Sequence, residues 1–224
     1  VNELLIFDMD GVLVEVGDSY RESIRRTVAH FTGVTVTNEE LQNKKNQGGW
    51  NDDWALSHAL IREAGVDVGF DAVVAKFQSI FRGASGQPGL IERERWTAQP
   101  GLFERLQQRH HMTIFTGRLR EEARVTLDRF APDTFEMIVG SDDVKVPKPD
   151  PEGILKIRAA IPHSRVFYLG DTVDDARSAR AAGVPFIGIV GPATPRRDES
   201  VAALRNNGAL VILESINQME EHLR

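Results

Sequence analysis

The feature that most constrains this chain is the way its first apolar run stops. Leu4, Leu5, Ile6 and Phe7 follow one another without a polar break, and Asp8-Met9-Asp10-Gly11-Val12 comes directly after them. An unbroken run of this kind, within the stretch from Val1 to Phe7, reads as a strand of a parallel sheet buried on both faces. The strand then releases two carboxylates at its carboxyl end. At about 4 Å and an effective dielectric near 20, two like charges repel by about 4 kcal/mol, so the pair is costly unless something positive is held beside it. A divalent cation removes that cost, which makes the stretch a candidate metal-assisted catalytic site.

The rest of the sequence falls into two parts. From about Asp18 to about Glu94 the apolar spacing is helical. Ile24, Val28 and Phe31 make one stripe, and Phe70, Val73, Val74, Phe77 and Phe81 make another. Thr37-Asn38-Glu39-Glu40 is a capping-box sequence that opens a helix towards Lys45. No strand is expected in this part, and Gly83 to Gly89 is expected to be a loop or hinge. From Pro100 onward short apolar strands alternate with helices, the strands falling near 111–115, 137–139, 166–169, 186–190 and 210–213. That alternation predicts an α/β fold, a doubly wound parallel sheet covered on both faces. Residues 1–14 and 95–224 would form the core and residues 15–94 an inserted all-helical lid. Ligands of such sheets sit beyond the carboxyl ends of the strands.

Composition narrows the function. A net charge of -6 gives no global basic field for nucleic acid or an anionic membrane surface. With no cysteine, disulfides, thiolate catalysis and cysteine-ligated zinc are excluded, and a reducing cytoplasm suits the chain. No apolar run approaches the roughly 18 residues of a membrane span, and the N-terminus enters a strand with no basic leader. Neither nucleic acid nor membrane is an expected partner, and the protein is expected to act as a monomer or homodimer.

Four strands release polar residues at or just after their carboxyl ends: Asp8 and Asp10, Thr116, Lys148, and Asp171 with Asp175. Together they suit phosphoryl transfer, which needs a nucleophile, a metal and donors for the remaining oxygens, so the expected partner is a small phosphorylated metabolite. Asp8 is the candidate nucleophile for an aspartyl-phosphate, and Asp10 the candidate acid and base for the leaving oxygen and the attacking water. Asp8 and Asp171, helped by Asp175 one helical turn further on, make an all-oxygen set suited to Mg²⁺. Thr116 offers a hydroxyl and Gly117 an amide, while Lys148 neutralises charge.

With these four motifs in order, the whole chain resembles the haloacid dehalogenase superfamily hydrolases. The motifs are Asp8-Met9-Asp10-Gly11-Val12, Thr116-Gly117, Lys148-Pro149-Asp150-Pro151 and Gly170-Asp171-Thr172-Val173-Asp174-Asp175. The insert resembles the helical cap of the phosphoglycolate-phosphatase-like subclass, subfamily IA. The resemblance implies a Rossmann-like core, Mg²⁺ held by Asp8, the Asp10 backbone carbonyl and Asp171, phosphate held by Thr116 and Gly117, and a lid that closes over the substrate. The second aspartate argues against carbon–halogen cleavage, and the Asp-x-Ala-Gly-Thr of phosphonoacetaldehyde hydrolases is absent. The β-phosphoglucomutases keep both aspartates, so a mutase is the alternative to Mg²⁺-dependent phosphatase, with a non-catalytic phosphate-binding relative behind it. Receiver-type phospho-acceptors use a similar pocket, but at about half this length and with a different chain order. Arg118 departs from the Asn-Lys that often follows Thr in phosphoglycolate phosphatases, which puts that substrate in question.

The stretch Gly48 to Trp54 is the most individual part of the lid. It reads either as a glycine turn in which Asn51 or Asp52 caps a helix and Trp54 joins the core, or as a specificity loop presenting Trp50, Asn51 and Asp52 to the substrate. Arg118, beside Thr116, is a further candidate for contact with an anionic substrate. His110 and His111 are adjacent on a strand, point to opposite faces and cannot share a metal.

Overall fold

The first apolar run is the central strand, β1 (Glu3–Phe7), with all five residues buried. The computed structural model describes residues 3–84 and 86–222, so Val1 and Asn2 of the expected strand lie outside the described residues. After β1 the chain leaves through β2 (Val14–Glu15) into four lid helices, α1 (Tyr20–Thr32), α2 (Asn38–Gln47), α3 (Asp53–Glu63) and α4 (Phe70–Phe81). It returns by way of β3 (Gly83–Ala84), β4 (Gln87–Pro88), a 3-10 turn at Leu90–Arg93 and β5 (Arg95–Trp96). β2 and β5 pair antiparallel, Val14 with Trp96 and Glu15 with Arg95, so the two lid linkers lie side by side. The core continues as α5 (Leu102–Leu106), β6 (His110–Phe115), α6 (Arg120–Phe130), β7 (Met137–Val139), α7 (Glu152–Ala160), β8 (Arg165–Gly170), α8 (Val173–Ala181), β9 (Phe186–Ile189), α9 (Arg197–Asn206) and β10 (Ala209–Leu213).

The lid is helical as expected, with one correction. Within the stretch expected to be loop, β3 and β4 pair as a two-stranded hairpin. Gly83 permits it: φ is 89°, and a Cβ there would lie 2.3 Å from the Gln87 carbonyl oxygen. A pair of two-residue strands is too short to leave a period-2 signature in the sequence.

The six core strands form one parallel, Rossmann-like sheet in the order β10-β9-β8-β1-β6-β7. Chain order runs outward from β1 to β6 and β7 on one side, then to β8, β9 and β10 on the other. β1 is therefore at the switch point, where diverging connections leave a crevice at the strand ends. Phe7 is level with Ile114 of β6 and Leu169 of β8, so the residues that follow these three strands emerge together.

Alternation along β1 sends Leu5 and Phe7 to one face and Leu4 and Ile6 to the other, each into its own apolar cluster. The first cluster also contains Ile24, Val28, Phe77 and Phe81 of the lid, so lid and sheet share continuous apolar packing. On the opposite face Gly153 of α7 lets the helix seat against Phe115, the last residue of β6. A Cβ at that position would lie 2.1 Å from the Phe115 ring. Gly153→Ala should therefore cost about 1–3 kcal/mol through overpacking, seen as a lower urea midpoint with an unchanged m value.

Candidate active site

The strand ends converge as the topology requires. Asp8 follows β1 and is anchored by its N–H donating to the Leu169 carbonyl at 2.8 Å. Met9 to Val14 is a tight turn in which the N–H groups of Val12, Leu13 and Val14 all donate to the Met9 carbonyl. Gly11 is required there: its φ is 75°, and a Cβ would fall 2.1 Å from the Asp171 carboxylate. Thr116 follows β6 and is buried, with its N–H on the Val139 carbonyl at 3.0 Å. Lys148 comes in from the segment before α7. Its ammonium donates to Asp8 Oδ1 at 2.8 Å and Asp175 Oδ1 at 2.7 Å, above the rings of Phe115 and Tyr168.

The carboxylates play unequal parts. Burial opposes ionisation of Asp175, but Lys148, together with hydrogen bonds from Thr172 and Tyr168, holds its carboxyl below the ordinary value. Thr172 Oγ1 and N–H donate to one oxygen, and Tyr168 and Lys148 to the other. Burial pushes Asp8 well above the ordinary carboxylate range; Lys148 opposes this, while Asp175, Asp171 and Asp10 add to it. Asp171 is pushed up to about 7, by burial first and by Asp175 next. Burial also opposes the charge on Lys148, but Asp175 and Asp8 outweigh it and raise the amine above its ordinary value.

The donor set fits a divalent metal. Oxygens of Asp8, Asp171 and Asp175 lie within 4.8 Å of one another. Asp171 Oδ1 is buried with no hydrogen-bond partner, the state expected of a carboxylate oxygen reserved for a hard cation. Asp175, whose two oxygens are both engaged, chiefly orients Lys148 and Thr172.

A cavity of about 210 Å³ opens over Asp8 and is lined from the lid by Tyr20, Arg21, Lys45, Asn51, Asp53 and Trp54 among others. Asp52 caps α3, accepting from the N–H of Trp54 at 2.8 Å and of Ala55 at 3.1 Å. Asn51 reaches the loop that follows β6: its amide nitrogen is 2.6 Å from where a Cβ on Gly117 would stand.

Over residues 5–189 the sequence matches the family model described as haloacid dehalogenase-like hydrolase. The chain belongs to that family. Among curated relatives, it is 35% identical over 201 residues to an imidazoleglycerol-phosphate dehydratase of Phytophthora nicotianae. The match covers 86% of this chain but 44% of that protein, so the chain spans less than half of its length. It is 26% identical over 192 residues to a phosphoglycolate phosphatase of Rhodobacter capsulatus, covering 82% of each. Among solved structures, a phosphonoacetaldehyde hydrolase-like protein from Oleispira antarctica superposes with a TM-score of 0.76 at 17% identity, covering 99% of this chain and 91% of that one, which speaks to fold alone.

For this family member the expected core residues Asp8, Asp10, Thr116, Gly117, Lys148, Asp171 and Asp175 meet at one place and Asn51 and Asp52 line the cavity there, whereas the expectations for Arg118 and Trp50 need correcting. Arg118 does not present a free guanidinium to an anionic substrate. It is buried, and its Nε donates to both Asp10 oxygens at 3.0 and 3.1 Å. One terminal nitrogen is 2.6 Å from Glu94, the other donates to Thr126 at 3.0 Å, and the Tyr20 and Phe81 rings of the lid flank the group. Trp50 packs against the apolar cluster with Lys44 over its ring, and Trp54 lines the cavity in its place. His110 and His111 face separate carboxylates, Glu3 and Glu136. Arg21, the ion-paired Lys45 and Asp53, and Glu94 were not legible beforehand. Glu94 lies in the charged run Glu92-Arg93-Glu94-Arg95, which reads as solvated surface, and only the return of the chain into the core buries it.

Two outcomes follow from this geometry. Folding raises the Asp171 pKa from 3.8 to about 7, so the metal-free folded state keeps a proton that the unfolded chain loses. The stability linked to Asp171 is complete below about pH 4 and is lost as pH rises through about 7. A bound cation replaces that proton, so the rise in Tm on adding Mg²⁺ should grow from about pH 6 to about pH 8 and vanish in Asp171→Asn, as read by thermal unfolding. Arg118→Met leaves Asp10 without its cation and Glu94 with only Arg129, 3.5 Å away, and should destabilise the fold by about 3–5 kcal/mol in urea unfolding.

Proposed function

We propose that this haloacid dehalogenase-like hydrolase is a Mg²⁺-dependent phosphatase of a small phosphomonoester, working through an aspartyl-phosphate on Asp8. The observation that carries the proposal is the buried Lys148 ammonium spanning Asp8 and Asp175 beside the unpartnered oxygen of Asp171, all beneath a small lidded cavity. A dianionic phosphoryl group needs such positive charge, and Asp8 supplies the nucleophilic oxygen within it. Asp8 and Asp171, with the Asp10 backbone carbonyl, would hold Mg²⁺, which would supply Lewis-acid charge stabilisation there.

Asp8 attacks phosphorus, the ester P–O bond breaks, and the leaving oxygen takes a proton from Asp10. Water then gives a proton to Asp10 and attacks phosphorus, the Asp8–phosphorus bond breaks, and phosphate leaves. Thr116 and Gly117 orient the phosphoryl oxygens throughout, and Lys148 offsets charge on Asp8 as it is released. The names of the Rhodobacter and Phytophthora relatives refer to phosphoglycolate and imidazoleglycerol phosphate, both phosphomonoesters of small polar molecules, which supports that substrate class.

Phosphate release from p-nitrophenyl phosphate, acetyl phosphate, phosphoglycolate, imidazoleglycerol phosphate and glucose 1-phosphate, with and without Mg²⁺, is the direct measurement. Asp8→Asn should bring it to background, and Asp10→Asn should lower turnover of the alkyl esters by about 10²–10⁴-fold. A wild-type protein inert across a broad panel would leave only phosphate binding. Glucose phosphate isomers interconverting faster than they are hydrolysed would instead favour a mutase.

A further inference from the structure

Asp174 has no part in the chemistry above, although it stands in sequence between the metal-site residue Asp171 and the Lys148 partner Asp175. Its side chain is buried, and among the described residues its hydrogen bonds all come from the lid backbone. The Gly49 N–H donates to its two oxygens at 2.7 and 3.0 Å, and the Trp50 N–H to the second at 3.1 Å. The close approach depends on Gly48, whose φ is 78° and where a Cβ would stand 2.4 Å from the Arg177 guanidinium and 3.0 Å from Val173. Both contacts are on α8, the helix that carries Asp174 and Asp175. Next along the chain, Asn51 lies against Gly117, and its side-chain amide has no hydrogen-bond partner among the described residues. The strap Gly48–Asn51 thus joins the metal-side helix to the phosphate-side loop and brings an unpaired donor to the cavity.

A carboxylate accepting backbone N–H groups makes charge-assisted bonds, stronger than neutral ones, and opening the lid breaks all of them together. We propose that Asp174 is a positioning residue that anchors this strap, so that the Asn51 amide stands beside the phosphoryl site and selects substrates whose leaving group carries an oxygen acceptor there. The inference rests on the phosphatase reading for its substrate but not for its clasp. A donor that must give up water when substrate binds disfavours analogues lacking the matching acceptor, because it is then left unpaired.

The test compares the oxygen-bearing alkyl phosphate turned over best with butyl phosphate, whose leaving group carries no oxygen acceptor beyond the bridging one. Asp174→Ala and Asn51→Ala should each lower the ratio of kcat/KM for the oxygen-bearing ester to that for butyl phosphate by about tenfold, mainly through KM of the former. The double variant should lose little more than either single one, since both act through one strap. Asp174→Asn, which keeps the shape and one acceptor oxygen, should fall between wild type and Asp174→Ala. An unchanged ratio, or losses that add, would overturn the assignment. Amide hydrogen exchange without substrate supplies the second arm: the Gly49 and Trp50 amides should exchange about tenfold faster in Asp174→Ala and at the wild-type rate in Asn51→Ala. Unchanged exchange in Asp174→Ala and Asp174→Asn would show that no clasp exists. A wild-type protein inert towards every phosphate compound removes the phosphatase reading, and the exchange arm still decides the clasp.

Discussion

Four aspartates at the ends of neighbouring strands would drive one another apart if Lys148 were not buried between two of them. Its contacts to Asp8 and Asp175 join the strand that begins the chain to a helix that follows β8, far away in sequence. Repulsion between carboxylates in a medium of reduced dielectric amounts to several kcal/mol per close pair, and one ammonium offsets part of it. What remains falls on Asp171, whose unpartnered oxygen and raised pKa mark where a second positive charge belongs. The three carboxylates of Asp8, Asp171 and Asp175 thus form a donor set that could hold a divalent cation.

The lid is tied to that centre by three kinds of contact. Apolar packing makes lid and sheet share one cluster, which gives area but little direction. Arg118 adds direction, because it binds Asp10 on one side and Glu94 of the lid linker on the other, with lid rings against its guanidinium. Glu122 of α6 does likewise from the core, accepting hydrogen bonds from Tyr20, Gln78 and Arg82 of the lid. The strap at Asp174 closes the far side. Polar contacts of fixed geometry at several points give the helical insert a defined position over the strand ends.

How much of this was legible follows from how local each signal is. The strand before Asp8, the capping box at Thr37, and the alternation of strand and helix after Pro100 are all set by near neighbours, and all are observed. The hairpin at Gly83 was not legible, because pairs of two residues carry no period. Arg118 reads as a free cation in sequence because its two carboxylates lie 108 and 24 positions away, Asp10 in the first motif and Glu94 in a run that resembles solvated surface. The specificity-loop reading gives Trp50 to the substrate, whereas the direction of the turn between Gly48 and α3 puts Trp54 in the cavity lining instead.

The sequence by itself determined the fold class, the order of the strands' polar ends and the chemical identity of the central groups. Those depend on hydrophobic periodicity and on residue types at short spacing, which a single chain displays openly. Only the tertiary structure decided which charges neutralise which. Lys148 between Asp8 and Asp175, Arg118 between Asp10 and Glu94, and Asp174 under the lid strap are pairings across long sequence separations. A charge is satisfied by whatever folding brings within a few ångströms of it, and nothing in its own neighbourhood of the sequence specifies that partner.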